Sequence, residues 1–176
     1  MSLINPNELK IQQLAPFHEV SSFDCANADL NDFIKNDALK QQAEDQMSKT
    51  YLVICGNKIV GFFTLLTDTI KLKKEERTAK CLNAPYAEFP AVKIGRLGII
   101  KEMQHKGLGK LCIQFITGQI LESFAGSRFI TTDAYPNSAG FYEKLGFVRN
   151  LHHNYKPSPN SPTISLRFDL KSVKPD

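Results

Sequence analysis

The stretch that most constrains the fold is one in which an apolar, β-rich run passes through a short turn into a long apolar helix. The run occupies residues 97–100, Gly107 and Gly109 stand one residue apart after it, and an apolar segment continues to Phe124. A helix N-terminus leaves backbone N–H groups unpaired and carries a partial positive charge. Residues without a Cβ let an anion approach it closely. The turn therefore predicts an anion-binding site between a strand and a helix.

Periodicity along the rest of the chain predicts one mixed α/β domain covering residues 1–176. Strands are predicted at residues 9–14, 51–55, 58–66, 91–100, 127–135, 146–148 and 163–170. Helices are predicted at residues 28–44, 107–124 and 136–144. Gly56-Asn57 predicts a tight hairpin between the second and third strands. Residues 70–80 are interpreted as a short helix or a solvated loop, and the proline-rich residues 156–162 as a surface loop.

The strand at residues 91–100 changes the parity of its apolar positions. These are even in the first half and odd in the second, namely Val92 and Ile94 against Leu97 and Ile99. Because strand side chains alternate with period two, one extra residue is needed at the change. A β-bulge is therefore predicted at residues 95–96.

Composition excludes several classes of protein. The chain has 176 residues, a formal charge of +4 and 42% hydrophobic residues, which suits one folded domain rather than a disordered chain. The longest apolar run, residues 59–66, is far shorter than the ~20 residues of a membrane helix, and no secretory signal is apparent. The cysteines form no Cys-x-x-Cys pair and the histidines are isolated. We predict a cytosolic protein with no membrane association and no metal.

The charge of the chain is concentrated around the glycine turn. Between residues 93 and 110 there are five Lys or Arg residues and one Glu, so this region alone carries +4, as much as the whole chain. The basic pI therefore does not by itself imply a nucleic-acid surface.

Three classes of ligand compete for the glycine turn. A nucleoside-triphosphate P-loop needs Gly and Ser/Thr where Gln104 and Leu111 stand. A dinucleotide fingerprint needs a third glycine where Cys112 stands. Both fit poorly, which leaves the pattern Gln-x-x-Gly-x-Gly after a bulged strand.

That pattern resembles the pyrophosphate loop of the GNAT acyl-CoA N-acyltransferases. A second stretch, residues 137–147, resembles the helix and turn of the same family that end in Phe-Tyr-x-x-x-Gly-Phe. The resemblance spans roughly residues 50–150 and implies a mixed, mostly antiparallel sheet with a bulged middle strand and flanking helices. It also implies transfer of an acetyl group from acetyl-CoA to a primary amine. The alternative for these residues is a plain turn and ordinary core aromatics.

The resemblance also implies roles for individual residues. Tyr142 is expected to act as a general acid that protonates the sulfur of CoA. Cofactor binding is expected from two backbone stretches and two residues of the later helix: Leu97, Gly98 and Ile99; Gln104, His105, Lys106, Gly107, Leu108, Gly109 and Lys110; and Asn137 and Phe141. Arg96 and Lys93 are candidate substrate contacts.

Residues 23–34 and 90–99 resemble a narrower group, the GNAT toxins of toxin–antitoxin pairs, which acetylate the amino acid on charged tRNA. This resemblance implies aminoacyl-tRNA and a cognate antitoxin as partners, and a homodimer is a further expectation. Five positive residues could contact phosphates: Lys71, Lys73, Lys74, Arg77 and Lys80. The alternative is that residues 23–34 are only a capped amphipathic helix and the lysines a solvated face.

The sequence offers no Glu or His that fits a general-base motif. An α-amine has a pKa of ~7.7–8.0 and a lysine amine ~10.4, so an α-amine needs less help to lose its proton. This favours an α-amine acceptor, on aminoacyl-tRNA or on a protein N-terminus. A small-molecule amine and a non-catalytic acyl-CoA-binding module are the remaining alternatives.

Overall fold

The computed structural model describes residues 8–79, 85–155 and 162–173. Strands lie at β1 (Leu9–Gln13), β2 (Lys49–Cys55), β3 (Lys58–Lys71), β4 (Glu88–Ile99), β5 (Phe129–Ala134), β6 (Val148–Arg149) and β7 (Ile164–Asp169). Helices lie at α1 (Ala28–Asp32), α2 (Ala38–Ala43), α3 (Lys74–Ala79), α4 (Leu108–Leu121) and α5 (Pro136–Lys144). Within the described residues the strands form one sheet in the order β1-β2-β3-β4-β5-β7-β6. The predicted mixed α/β class with a mostly antiparallel sheet is confirmed.

The chain divides into two compact units. Unit 1 comprises residues 1–66 and 94–116, and unit 2 comprises residues 67–93 and 117–176. β1 pairs antiparallel with β2, and β2 with β3. β7 pairs antiparallel with both β5 and β6. That residues 1–176 form one domain stays a prediction.

In unit 1 an aromatic core packs the segments on either side of α1 against β3. Asn27 caps the helix, because its side-chain oxygen accepts a hydrogen bond from the backbone N–H of Leu30 at 3.0 Å. The rings of Phe23 and Phe33 lie 5.3 and 6.1 Å from the ring of Phe62 on β3. The predicted helix over residues 28–44 is confirmed, with one addition: a π-helical turn, Phe33–Asp37, joins α1 to α2.

Burial along β4 changes parity. Phe89 and Ala91 are buried in the first part of the strand, and Ile94 and Gly98 in the second. The change in burial lies between Ala91 and Ile94. The position of a bulge in this strand stays a prediction.

In unit 2 the core forms between the end of β3 and the starts of β4 and β5. Ile70, Leu72, Phe89, Ala91 and Phe129 are buried together, and Tyr155 packs against them. This explains why β3 runs to Lys71, five residues beyond the predicted strand, since Ile70 contributes to the core. The helical interpretation of residues 70–80 is correct for Lys74–Ala79. Lys80 and Cys81, like residues 156–161 of the predicted proline-rich loop, lie outside the described residues.

Arg167 stands among the polar residues that alternate with apolar ones along β7, yet it does not face solvent. Its side chain is buried, and one guanidinium nitrogen lies 2.7 Å from a carboxylate oxygen of Glu76. Another donates to the carbonyl oxygen of Arg149 and to the side chain of Asn150. Glu76 of α3 lies against this side of the strand, so the polar face of β7 is covered.

Phe124 also departs from prediction. The helix predicted to reach it ends at Leu121, and the Phe124 side chain is fully exposed. Among the described cysteines, Cys25, Cys55 and Cys112 are free thiols. In the described part of the chain, no group of three or more His, Cys, Asp or Glu residues could hold a metal ion, and no helix is long and apolar enough to span a membrane.

Candidate active site

The glycine turn has an unusual backbone. After a 3₁₀ turn at Lys101–Met103, the chain is extended at Gln104, takes a φ of 58° at His105 and 86° at Gly107, and enters α4 at Leu108. A Cβ on Gly107 would meet nothing within 4 Å, so glycine is needed there for its conformation and not for space. Positive φ values in a short turn direct successive N–H groups to one side, which makes an anion-binding concavity. The predicted anion loop therefore has suitable geometry.

Gln104 is held by the protein on two sides. Its Nε2 donates one hydrogen bond to the carbonyl oxygen of Cys25 and one to that of Ile99, each 2.9 Å long. An amide nitrogen has two hydrogens, so both are engaged, and the orientation of the amide follows from these two acceptors. Gln104 thus joins the loop to the end of β4 and to the segment that precedes α1.

That preceding segment is itself closed by side chains. One oxygen of Asp24 accepts from the backbone N–H of Ala26 at 2.8 Å and from the Asn31 amide at 2.7 Å. The Asn31 oxygen accepts from the backbone N–H of Cys25 at 2.9 Å, and the N–H of Lys101 donates to the Asp24 carbonyl at 3.1 Å. The Ala26 N–H, followed by the Asn31 amide, holds the pKa of the Asp24 carboxyl below its usual value. The carboxylate form therefore persists at neutral pH.

The end of β4 lies close to β3. A Cβ on Gly98 would come within 2.6 Å of the Phe62 ring, so only glycine fits without displacing that ring. Leu97 and Ile99 are half-buried. The Arg96 guanidinium carbon lies 3.8 Å from the centre of the Phe33 ring, a cation–π contact that holds the side chain over α1 and its π-helical turn.

Tyr142 lies in unit 2, on α5. Pro136, at the start of that helix, has a φ already fixed for helical structure. Tyr142 is buried, and its ring packs edge-on against Phe141 at 4.9 Å and Phe147 at 5.3 Å. Phe141 is half-buried and Asn137 is exposed. The phenol ring is therefore fixed by aromatic packing.

The predicted site residues thus fall into two groups. Unit 1 holds Arg96, residues 97–99 and residues 104–110, which are brought together by Gln104. Unit 2 holds Tyr142, Asn137, Phe141 and Lys93, and the Lys93 ammonium pairs with the Asp133 carboxylate at 2.5 Å.

Sequence reasoning did not single out Asp24 and Asn31. Aspartate and asparagine side chains often bond to nearby backbone, so a local turn was readable. The contact between Gln104 and Cys25 joins positions 79 residues apart, and no local pattern indicates it.

The sequence model of the acetyltransferase (GNAT) domain family matches residues 18–156 of the chain. The chain therefore belongs to the GNAT acetyltransferases, and the predicted family is confirmed. It is an acetyl-CoA-dependent N-acetyltransferase.

Several solved structures share its fold. A tyrosine-to-phenylalanine mutant of KacT is 23% identical, with a TM-score of 0.77 over 94% of this chain and 96% of that one. AtaT complexed with acetyl-methionyl-tRNA is 23% identical, with a TM-score of 0.76 over 93% and 96%. AtaTR bound with acetyl-CoA is 22% identical, with a TM-score of 0.75 over 94% and 96%. These likenesses establish the fold.

Proposed function

We propose that this acetyltransferase modifies the α-amine of aminoacyl-tRNA and acts in the cytoplasm as the toxin of a toxin–antitoxin pair. The observation that carries the proposal is the likeness over 93% of the chain to AtaT, which is known in complex with acetyl-methionyl-tRNA. The toxin-like residues 23–34 support it, since they include Asn31 and Cys25, which bond directly to one another beside Gln104.

Acetyl-CoA is bound by the loop at residues 104–110 and the end of β4. The N-terminus of α4, a helix of 14 residues, supplies unpaired N–H groups and a positive dipole end for the pyrophosphate. The exposed side chains of Lys106 and Lys110 add positive charge. The backbone at Leu97–Ile99 binds the pantetheine arm and polarises the thioester carbonyl.

The reaction replaces a C–S bond by a C–N bond. The neutral amine attacks the thioester carbon, the tetrahedral intermediate collapses, and the CoA sulfur leaves with a proton. Tyr142 donates that proton. A phenol with a pKa of ~10 is protonated at neutral pH, and a leaving thiolate needs a proton donor. Solvent takes the proton from the amine and restores the phenol.

An α-amine is the acceptor best suited to this site. With a pKa of ~7.7–8.0 it is partly neutral at pH 7, whereas a lysine amine at ~10.4 is not. The reaction with an α-amine therefore needs no carboxylate or imidazole as a general base.

A surface of unit 2 supports contact with RNA phosphates. Lys73 and Lys74 are exposed, whereas Glu76 of the same segment turns inward to Arg167. Lys71 is less available, because it pairs with Glu88 at 3.2 Å. An antitoxin would act by covering the basic surface or the acetyl-CoA site. A homodimer stays a prediction.

The test is transfer of labelled acetyl from acetyl-CoA to four acceptors: charged tRNA, uncharged tRNA, a peptide with a free N-terminus, and a polyamine. We expect transfer to charged tRNA only. Transfer to the peptide or polyamine but not to charged tRNA would assign a different acceptor. Binding of acetyl-CoA without transfer to any amine would show that the protein is a non-catalytic acyl-CoA-binding module.

The toxin part has its own test in cells. Induction of the wild type should arrest growth, and induction of Tyr142→Phe at matched protein levels should not. Equal growth of the two strains would contradict the toxin assignment and leave the acetyltransferase intact.

A further inference from the structure

We infer that the side chains of Asp24, Asn31 and Gln104 position the loop at residues 104–110 and thereby set its affinity for acetyl-CoA. The inference rests on the proposed function, since it concerns the same loop. Asp24 and Asn31 close the segment before α1, and we call this pair the clasp. Gln104 transmits the position of the clasped segment to the loop.

The connection runs through four hydrogen bonds. The clasp fixes the Cys25 peptide, because Asn31 accepts from its N–H at 2.9 Å. The carbonyl of the same residue accepts from Gln104 at 2.9 Å. The Asp24 carbonyl accepts from the N–H of Lys101 at 3.1 Å, and the Ile99 carbonyl accepts from Gln104 at 2.9 Å. The segment between Ile99 and Gln104 is therefore held at both ends.

Backbone strain explains why the clasp is needed. Ala26 and His105 both have φ values near 60°, which L-residues other than glycine rarely adopt. Such a conformation is unfavourable for an L-residue and persists only where the surroundings enforce it. Asp24 enforces the first by accepting from the Ala26 N–H at 2.8 Å. Gln104 lies directly before the second, and its side chain is held by two hydrogen bonds.

The chain contains a matched control for Gln104. Gln42 also joins two segments of unit 1, since its Nε2 donates to the Leu14 carbonyl at 2.8 Å and its Oε1 accepts from the Thr50 N–H at 3.0 Å. Gln104→Ala and Gln42→Ala each lose two hydrogen bonds, so both should lower Tm to a similar extent. The loss of two hydrogen bonds changes an equilibrium constant by about 5- to 150-fold. Only Gln104→Ala should weaken CoA binding in calorimetry, by about tenfold to a hundredfold.

A matched control also exists for the clasp. Asn36 donates to Asp32 at 2.7 Å on the exposed side of the helix, the same bond and length as Asn31 to Asp24. Asn31→Asp keeps the acceptor for the Cys25 N–H but sets two carboxylates against each other, which raises one pKa. At pH 5 a shared proton should restore the clasp, and at pH 8 it should open. Asn36→Asp should behave as the wild type.

CoA affinity of Asn31→Asp, relative to wild type at each pH, should fall about tenfold from pH 5 to pH 8. The wild-type clasp should not respond, because the Asp24 pKa lies below its usual value and the carboxylate stays ionised throughout. At saturating acetyl-CoA, kcat should be unchanged in Asn31→Asp and in the two control variants. A merely structural role would lower Tm without this pH dependence and without separating KM from kcat.

Hydrogen exchange in the absence of CoA separates this inference from the proposed function. The amides of Lys101, Met103 and Leu111 are hydrogen-bonded around the loop and report its order. They should exchange faster in Gln104→Ala and Asn31→Asp than in the two controls. Unchanged exchange and unchanged CoA affinity would overturn the inference. Faster exchange in a protein whose wild type binds no CoA would overturn the proposed function alone.

Discussion

The loop at residues 104–110 and the helix α5 contribute to the proposed reaction in different ways. The loop contributes backbone: Gly107 has no side chain, and the amide hydrogens of Gln104 are bonded to the protein. The helix contributes a side chain, Tyr142, buried between Phe141 and Phe147. One region depends on conformation and the other on a single hydroxyl group.

This difference decides which substitutions are informative. A backbone site is damaged by residues that cannot adopt its dihedral angles, whereas side-chain truncations leave it largely intact. A buried tyrosine packs like a core residue whether or not its hydroxyl takes part in chemistry. Only a substitution that removes the hydroxyl and keeps the ring separates the two roles.

Tyr142→Phe should have the largest effect. It keeps the ring contacts with Phe141 and Phe147, so fold and CoA affinity should be nearly unchanged. General-acid catalysis contributes about 10²–10⁴-fold, and kcat should fall by that amount. Steady-state kinetics with thermal melting as control decide the matter. A loss under about threefold would make Tyr142 a packing residue and remove the contrast with the loop.

Gly107→Asp should weaken CoA binding by about a hundredfold, through positive-φ strain and a like charge at a helix N-terminus. Gly109→Asp adds the charge in the first turn of α4, and about tenfold is expected from that alone. Gly126→Asp is the control, because Gly126 is exposed and its Cβ would meet nothing within 4 Å. Calorimetry with CoA measures all three. Equal affinities for Gly107→Asp and Gly126→Asp would contradict a backbone site.

Local patterns were sufficient for most of the fold. The hairpin at Gly56-Asn57 and the helix beginning at Pro136 depend on neighbours in sequence, and both are confirmed. The buried ion pair of Arg167 was not predictable, because its partner Glu76 lies 91 positions earlier in the sequence. Alternation along β7 indicates only which residues share a face, not whether another element covers it.

The candidate site was predictable to a similar degree. The glycines and Tyr142 stand in motifs, so they were readable from the sequence. The partners of Gln104 were not, because the contact with Cys25 is made by folding and carries no sequence pattern. Motifs thus indicated the residues proposed to meet the ligand, while the contacts that hold those residues in place emerged only from the structure.

Lys106→Ala should have a smaller effect. The side chain is exposed, so its attraction for a phosphate is screened by solvent. We expect CoA affinity to fall about two- to fivefold at low salt, with the difference shrinking as salt is raised. Lys40→Ala, on α2, serves as the exposed control. A loss as large as that of Gly107→Asp would show that the loop acts through side-chain charge.

Ala26→Gly should have the smallest effect and the opposite sign. An L-residue in the left-handed region costs about 1–2 kcal/mol, and Ala26 has a φ of 60°. Glycine removes that cost but loses about 0.5–1 kcal/mol in chain entropy, so a net stabilisation of about 0.5–1 kcal/mol remains. The methyl group is exposed and its loss removes no core packing. Because the N–H that bonds to Asp24 is kept, CoA affinity should not change. Denaturant unfolding measures the gain, and a destabilised variant would show that the turn needs the Ala26 side chain as well as its backbone.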